Sequence, residues 1–274
     1  MIIYTNGCSH SENMGNGYSW PKVLANSLRL NYDNLSNYFD VKIKNNTCYN
    51  FAETSKGNDL IFYQTIEFIN KCKNQNIKPH LFVIQWSGPS RYFKYKTEQS
   101  CEVYNPSDDM EQGQFHFEPG ASNVTLHYMI SLQEILNNWG VDYCFINYME
   151  LDKSISKESL TQVDLSNCIS FNNNSHPLFD GFRNLLRKRG FTRDGNGHPN
   201  YYGHWYIALR VLDKIKCEPM GFFDSIYLSK IKPSLDVVYF YGDFMINRSD
   251  VKSKYIELGE GGEMEKNDIR KSIF

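Results

Sequence analysis

The stretch NGCSHS at residues 6–11 places a thiol, a hydroxyl and an imidazole directly after the first apolar run of the chain. Serine and cysteine side chains are both nucleophiles when a positioned base activates them. Gly7 permits a tight turn out of a strand, and the amides that follow such a turn point toward whatever binds there. Taken alone, Ser9 is more often a helix cap than a nucleophile, so a second reactive group is needed before chemistry is inferred.

That second group lies far along the chain, in the stretch DGNGHPNYYGHWYIA at residues 194–208. Pro199 suits the first turn of a helix, which places His198 on a short, stiff loop ahead of that helix. Asp194 comes shortly before His198 and has the chemistry to orient an imidazole that acts as a general base. A serine, a histidine and an aspartate together supply the parts of a nucleophilic hydrolase.

Other reactive side chains are weaker candidates. Cys8 beside His10 is a candidate thiolate pair, but adjacent side chains at a strand end diverge, and we expect Cys8 to be a small buried residue. His204, inside the last helix, is expected to be packed or hydrogen-bonded. The remaining histidines lack the spacing of metal ligands, and the 7 cysteines include no CxxC pair. We therefore predict no metal site and reduced, mostly buried thiols.

The elements that position these residues follow from the spacing of apolar side chains. Four apolar runs predict strands, at residues 1–5, 47–51, 80–86 and 141–148. Three stretches of helical period predict helices, at residues 18–30, 60–72 and 126–139. Strands that alternate with helices indicate an α/β fold of three layers, with a parallel sheet covered on both faces.

In such a sheet, polar residues that follow the strands gather at one edge, the edge at which ligands bind. Ser9 follows the first run, Asn58 and Asp59 follow the second, and Ser87 and Arg91 follow the third. These positions predict a site at the carboxyl ends of the strands.

Length and charge limit the class of protein. With 274 residues and 41% hydrophobic side chains, the chain is long enough for one sizeable domain with a real core. A formal net charge of -2 argues against a nucleic-acid partner. No stretch approaches the ~20 apolar residues of a membrane span, and the first residues lack the pattern of a signal peptide. We expect a cytoplasmic protein without a membrane contact or a cofactor.

Two regions depart from the alternating pattern. Residues 91–122 have little periodicity and predict an insertion or a lid near a site, within a domain that spans residues 1–218. Residues 219–274 predict a C-terminal extension with a hairpin and a polar, flexible arm. This arm is a candidate contact for a second copy of the chain or for assembly into a virion.

Together the motifs resemble those of the SGNH/GDSL hydrolases, and within them the GDSL-like proteins of bacteriophages. The resemblance covers roughly residues 1–215. Its first block corresponds to Gly7-Cys8-Ser9, its second lies within NFAETSKGND at residues 50–59, and its last corresponds to Asp194 and His198. Phage-type features match at three further places: residues 19–21, residues 84–86 with Arg91, and residues 198–204.

This resemblance implies a flavodoxin-like three-layer sandwich and an ester hydrolase that removes an acyl group, such as acetyl, from a carbohydrate or a lipid. Ser9 would be the nucleophile, His198 the general base and acid, and Asp194 the carboxylate that orients His198. His10, Ser87 and Arg91 would border the cleft as substrate-binding residues.

The oxyanion hole is where the chain departs from the family pattern. The backbone amide of Ser9 would act with that of Ser55 or Gly57, and a side chain such as Asn58 would be a further donor. The stretch QWSGPSR at residues 85–91 lacks the asparagine that the family uses. Loss of one such donor typically costs ~3 kcal/mol of transition-state stabilisation.

Two functions therefore remain open. One is an esterase that acts on a small acylated substrate or a polysaccharide. The other is a protein of weak or no catalytic activity that keeps the hydrolase fold for binding or for a structural role, in a phage particle for example. The missing asparagine favours the second function, whereas Ser9, Asp194 and His198 favour the first.

Overall fold

A computed structural model describes residues 1–12, 19–35, 41–89, 91–97, 100–104, 120–152, 155–171, 176–192 and 197–215, with the backbone alone at 92–97, 100–104 and Tyr201. Three sequence predictions lie outside these residues: the role of Asp194, residues 105–119 of the insertion, and the extension at residues 219–274.

The described strands form one parallel sheet and one hairpin. The strands are β1 (Ile2–Asn6), β2 (Asn31–Asn34), β3 (Thr47–Asn50), β4 (Leu81–Trp86), β5 (Tyr92–Thr97), β6 (Ser100–Tyr104) and β7 (Asp142–Asn147). The five-stranded sheet has the order β2-β3-β1-β4-β7, and β5 pairs with β6 in an antiparallel hairpin. Every neighbouring pair in the larger sheet is parallel, for example Tyr4 opposite Phe82.

Of the α-helices in the described part of the chain, three connect strands and three follow β7. They are α1 (Trp20–Ser27), α2 (Asn58–Asn74), α3 (Ala121–Trp139), α4 (Lys157–Thr161), α5 (Phe182–Lys188) and α6 (Tyr201–Lys214). Among the described helices, none is long and apolar enough to cross a bilayer.

Side chains of the sheet alternate between two apolar clusters, one on each face. On one face, Ile3 and Val83 pack with residues of α1, α5 and α6, such as Leu24 and Ile207. On the other face, the strand residues that alternate with Ile3 and Val83 pack against α2 and α3. For example, Phe82 lies in one cluster with Phe68 and Leu136. A parallel sheet buried on both faces requires continuous apolar strands, and every residue of β1, β3 and β4 is buried. The predicted three-layer α/β fold is confirmed.

The strand order creates a natural binding position. Without the edge strand β2, the order is second, first, third and fourth, as in the doubly wound flavodoxin-like sheet. After β1 the chain adds β2 and β3 on one flank of β1, and it then crosses to add β4 and β7 on the other flank. In such folds, ligands bind beyond the carboxyl ends of the strands at this switch point, which here lies between β1 and β4.

The structure differs from the sequence predictions at two places. The first is β2, which the sequence did not indicate because Asn-Tyr-Asp-Asn has no apolar run and the strand lies at the sheet edge. The last helix is capped by Asn200, whose side chain accepts a hydrogen bond from Gly203 N at 3.1 Å. Pro199 precedes this cap and pairs with Thr192 in an isolated bridge, so it does not occupy the first turn.

Candidate active site at the sheet edge

Ser9 lies in a tight turn that follows β1. Ser11 N donates to Cys8 O at 2.8 Å, and Gly7 N donates to the side chain of Asn6 at 2.8 Å. A Cβ on Gly7 would lie 2.7 Å from Ser11 Oγ and 3.0 Å from Gln85 Cβ, so only glycine fits where β1 turns against the end of β4. The turn is not the start of a helix, and Ser9 is therefore not a helix cap.

The structure brings Ser9 together with His198. Ser9 Oγ lies 2.9 Å from His198 Nε2, within the distance at which an imidazole takes a proton from a nucleophile. The Ser9 side chain is largely buried, with 6% of the residue exposed. Two groups that are distant in sequence thus lie in contact, as the predicted nucleophile and base of the triad require.

The loop that carries His198 is held against the end of α5. Thr192 pairs with Pro199, and Asn200 N donates to Phe191 O at 2.9 Å. Gly197 has a φ of 84°, and a Cβ there would lie 2.9 Å from Arg183 Cγ. This glycine therefore allows the left-handed turn and the close packing that set the position of His198.

His10 packs directly against this pair. Its ring stacks on that of His198 at 4.5 Å between centroids and 15° between planes, and it lies 3.6 Å from the ring of Tyr148. His10 Nδ1 is 3.2 Å from Cys8 Sγ and 3.4 Å from Ser9 Oγ. With an exposed fraction of 1%, His10 has little surface for a substrate, and its predicted contact with substrate stays a prediction.

Burial also decides the charge of His10. It lowers the pKa of His10 well below its ordinary value, and the nearby His198 and Arg91 act in the same direction. His10 is therefore a neutral imidazole at physiological pH.

A buried polar network supports the turn from below. Gln85 Nε2 donates to Cys8 Sγ at 3.2 Å, and the Gln85 side-chain oxygen accepts from Ser11 Oγ. Ser11 Oγ in turn accepts from Trp20 Nε1 at 2.7 Å. Since Cys8 is fully buried in this network, its predicted role as a packed thiol agrees with the structure.

The predicted oxyanion amides belong to two adjoining loops. Ser55 has a φ of 62°, the left-handed region that glycine adopts without strain. Within the described residues, the backbone N–H groups of Ser9, Ser55 and Gly57 donate to no acceptor. Glu53 N donates to Gly7 O at 3.3 Å and joins the two loops. The two joined loops thus carry main-chain donors without acceptors, which is what the predicted oxyanion hole requires.

Asn58, the predicted side-chain donor, is engaged elsewhere. Its Oδ1 accepts from Ser87 N at 2.7 Å, and its Nδ2 donates to Thr125 Oγ1 at 2.9 Å. These bonds tie the start of α2 to the end of β4, so they favour a positioning role for Asn58 over direct donation to an oxyanion. Arg91 Nη1 lies 3.4 Å from Ser87 Oγ, which places both predicted binding residues beside this junction.

Sequence reasoning missed three residues around the site: Lys56, Tyr148 and Arg183. Lys56 is 1% exposed, and its ammonium donates to Phe51 O and to Gln64 Oε1, the latter at 2.6 Å. The Arg183 guanidinium lies 5.7 Å from the Tyr148 ring. For Tyr148, a position at the end of a predicted strand was a sequence signal for the site. No such signal existed for Lys56 or Arg183, because lysine and arginine side chains are usually exposed.

The remaining candidates behave as packed residues. His204 Nδ1 accepts from Trp20 N at 3.1 Å. Among the described residues, no group of His, Cys, Asp and Glu could hold a metal ion. The cysteines whose side chains the structure describes are all buried free thiols, namely Cys8, Cys48, Cys72, Cys144 and Cys168.

Comparisons with known proteins add a distant structural likeness. No protein-family model matches the chain, and no curated protein matches it. One similar solved structure is that of a protein from Slackia heliotrinireducens described as a candidate SGNH hydrolase, with a TM-score of 0.41 and 12% identity. The match covers 78% of this chain and 98% of that chain. A likeness at this level carries no information on activity, so only the side-chain geometry bears on function.

Proposed function

We propose that the protein is a serine ester hydrolase in which Ser9 is the nucleophile and His198 the general base and acid. The observation that carries this proposal is the 2.9 Å contact between Ser9 Oγ and His198 Nε2. It lies where the strand order of the sheet predicts a ligand site. The motif resemblance favours a small acyl group, such as acetyl, on a carbohydrate or a lipid.

The reaction would proceed in two acyl-transfer steps. Ser9 Oγ attacks the ester carbonyl carbon as its proton passes to His198 Nε2, and the resulting tetrahedral intermediate collapses to an acyl-serine. The alcohol leaves with the proton from His198. A water molecule then loses a proton to His198 and attacks the acyl-serine, which releases the carboxylic acid and restores the Ser9 hydroxyl.

Main-chain amides would stabilise the oxyanion of each tetrahedral intermediate. The N–H groups of Ser9 and of Ser55 or Gly57 are the donors that the local geometry supports best. Because these donors are fixed by the backbone, they need no side-chain reorganisation during the reaction. The absent asparagine then costs rate without removing the oxyanion hole.

Hydrolysis of 4-nitrophenyl acetate tests this proposal. We expect slow but measurable turnover by the wild type, and Ser9→Ala and His198→Ala should each lower kcat at least ~10³-fold. The double variant should be no worse than either single variant, because the two residues act as one unit. Ser166→Ala, at an exposed serine, is the control. Equal rates for wild type and Ser9→Ala would instead support the binding-protein alternative.

Asp194→Asn tests the predicted orienting carboxylate. An amide in place of the carboxylate favours the wrong tautomer of His198, and we expect kcat to fall by up to ~10⁴-fold while the fold is retained. Steady-state kinetics with the same ester, together with circular dichroism, measure both effects. An unchanged kcat would show that another group orients His198.

A further inference from the structure

Two half-buried arginines lie close to the candidate active site on neighbouring segments. Arg91 N donates to Gly88 O at 3.1 Å, in the turn that follows β4. A Cβ on Gly88 would lie 3.2 Å from Met149 Sδ, and Arg183 Nη1 lies 3.7 Å from the same sulfur. Met149 therefore lies between the turn that carries Arg91 and the guanidinium of Arg183.

Both arginines are near the reacting groups. Arg183 packs on Gly197, the residue before His198, and its guanidinium lies over the Tyr148 ring that contacts His10. Burial raises the pKa of Tyr148 to about 12. The second-largest influence on this pKa is the positive charge of Arg183, which lowers it. Arg91 and Arg183 also lower the pKa of His10, although burial and His198 have larger effects. The edge that holds Ser9 is thus locally cationic.

In the part of the chain that the structure describes, no acidic side chain neutralises these two charges. Within the described residues, neither Arg91 nor Arg183 forms an ion pair. Arg183 Nε is buried without an acceptor. The formal net charge of the whole chain is -2, so this local excess of positive charge is not a consequence of a basic composition. Unpaired, partly buried guanidinium groups are costly unless an anion meets them.

We propose that Arg91 and Arg183 form an anion subsite beside Ser9, and that the ester substrate carries a carboxylate, sulfate or phosphate group. The planar guanidinium fork matches such oxyanions in a bidentate manner. The substrate class rests on the proposed esterase function, whereas the binding of an anion at this subsite does not. The anionic group belongs to either the acyl part or the alcohol part of the ester.

Two matched pairs of substrates distinguish these positions. For an anion on the alcohol, 4-acetoxybenzoate is compared with its neutral methyl ester, methyl 4-acetoxybenzoate. For an anion on the acyl group, mono-4-nitrophenyl glutarate is compared with 4-nitrophenyl pentanoate. For the alcohol-side pair, the ratio of kcat/KM is divided by the ratio of the hydroxide-catalysed hydrolysis rates, which removes the difference in leaving-group reactivity. The acyl-side pair shares the 4-nitrophenolate leaving group, so its kcat/KM values are compared directly. We expect one pair to favour the anion by about tenfold or more.

Substitution of either arginine should reduce this preference. Arg91→Gln and Arg183→Gln should each lower the anion-to-neutral ratio about tenfold, whereas Arg183→Lys should keep part of it because the charge remains. Lys188→Gln removes one charge from an exposed position of the same helix and should leave the ratio unchanged. Higher ionic strength should also reduce the preference.

A binding measurement separates this inference from the esterase proposal. The Ser9→Ala protein is titrated by calorimetry with the anionic and the neutral member of each substrate pair, and we expect the anion of one pair to bind at least about tenfold more tightly. Equal binding of anion and neutral ester in both pairs would overturn the subsite even if the wild type proves to be an esterase. A preference that survives in both glutamine variants, or that depends on only one arginine, would also overturn it.

Discussion

The hydroxyl of Ser9 lies within 3.4 Å of a nitrogen of each of two imidazole rings, and burial lowers the pKa of one of them. His198 Nε2 is 2.9 Å from Ser9 Oγ, whereas His10 Nδ1 is 3.4 Å away. Because burial lowers the pKa of His10, this ring is a poor acceptor for the Ser9 proton. It stacks on His198 instead and fixes the plane of that ring. In the proposed mechanism, this geometry favours His198 over His10 as the proton acceptor and gives His10 a positioning role.

The neutral state of His10 predicts a pH dependence of stability. Below the unfolded-state pKa of about 6.5, the unfolded chain binds a proton at His10 that the folded protein does not, so folding stability falls as the pH falls. Between pH 7 and pH 5 this contribution amounts to at most about 2 kcal/mol. Urea unfolding of wild type and His10→Phe should show that the variant lacks this loss.

The control for this measurement is His127→Gln, at an exposed histidine. If wild type and His10→Phe lose equal stability on acidification, the folded protein binds a proton at His10. The neutral ring would then be contradicted.

At the scale of elements, the site depends on three chain segments that meet at the switch point of the sheet. The turn after β1 carries Ser9, the loop between β3 and α2 carries the candidate oxyanion amides, and the loop before α6 carries His198. Glu53 N bonds to Gly7 O and joins the first two, while the packing of Gly197 on Arg183 fixes the third. These contacts restrain the three segments, which a site built on loops requires in order to hold its side chains in place.

Gly7→Ala tests the close packing of the turn after β1. The added methyl group would clash with Ser11 Oγ and Gln85 Cβ, so we expect the free energy of unfolding to fall by about 1–3 kcal/mol. We also expect kcat for ester hydrolysis to fall, because the clash displaces Ser9. Gly120→Ala is the matched control, because Gly120 has a φ of -89° and no heavy atom within 4 Å of the added Cβ. Thermal unfolding should show a change of less than about 1 kcal/mol for this control.

Lys56 links the loop between β3 and α2 to β1. Its ammonium contacts Phe51 O and Gln64 Oε1, and it lies 3.4 Å from Asn6 Oδ1 and 3.9 Å from Glu53 Oε2. Burial lowers the pKa of Lys56 to about 8, although the Glu53 carboxylate acts in the opposite direction. The folded protein thus releases this proton at a lower pH than the unfolded chain does.

Lys56→Met isolates the effect of this titration. Between pH 8 and pH 10.5 the unfolded chain holds the Lys56 proton and the folded protein does not, so wild-type stability should rise relative to the variant, by up to about 3 kcal/mol. The buried cysteines, whose pKa burial raises to about 12, oppose this trend but act equally in both proteins. Lys42→Met, at an exposed lysine, is the control. A wild-type-to-variant difference that stays constant with pH would contradict the buried ammonium.

At the scale of the molecule, two apolar clusters hold the sheet from opposite faces and leave its carboxyl edge polar. This division explains which parts were predictable. The buried strands β1, β3, β4 and β7 have apolar runs that local sequence reveals, whereas β2 is a polar edge strand that only pairing with β3 defines.

The site was predictable to the same extent. Ser9 and His198 belong to short motifs at element ends, so sequence indicated both. The environment of Lys56 and Arg183 depends on contacts between segments far apart in the chain. The buried ammonium and the unpaired guanidinium therefore became apparent only in the folded arrangement.

The central claim is that His198 activates Ser9, and covalent labelling tests it most directly. A fluorophosphonate reacts with an activated serine hydroxyl but not with an ordinary one. Intact-mass analysis of the wild type should show one adduct per chain, with peptide mapping at Ser9, and the His198→Ala protein should label at least ~10³-fold more slowly. Absence of labelling in the wild type, or equal labelling rates in wild type and His198→Ala, would contradict the account.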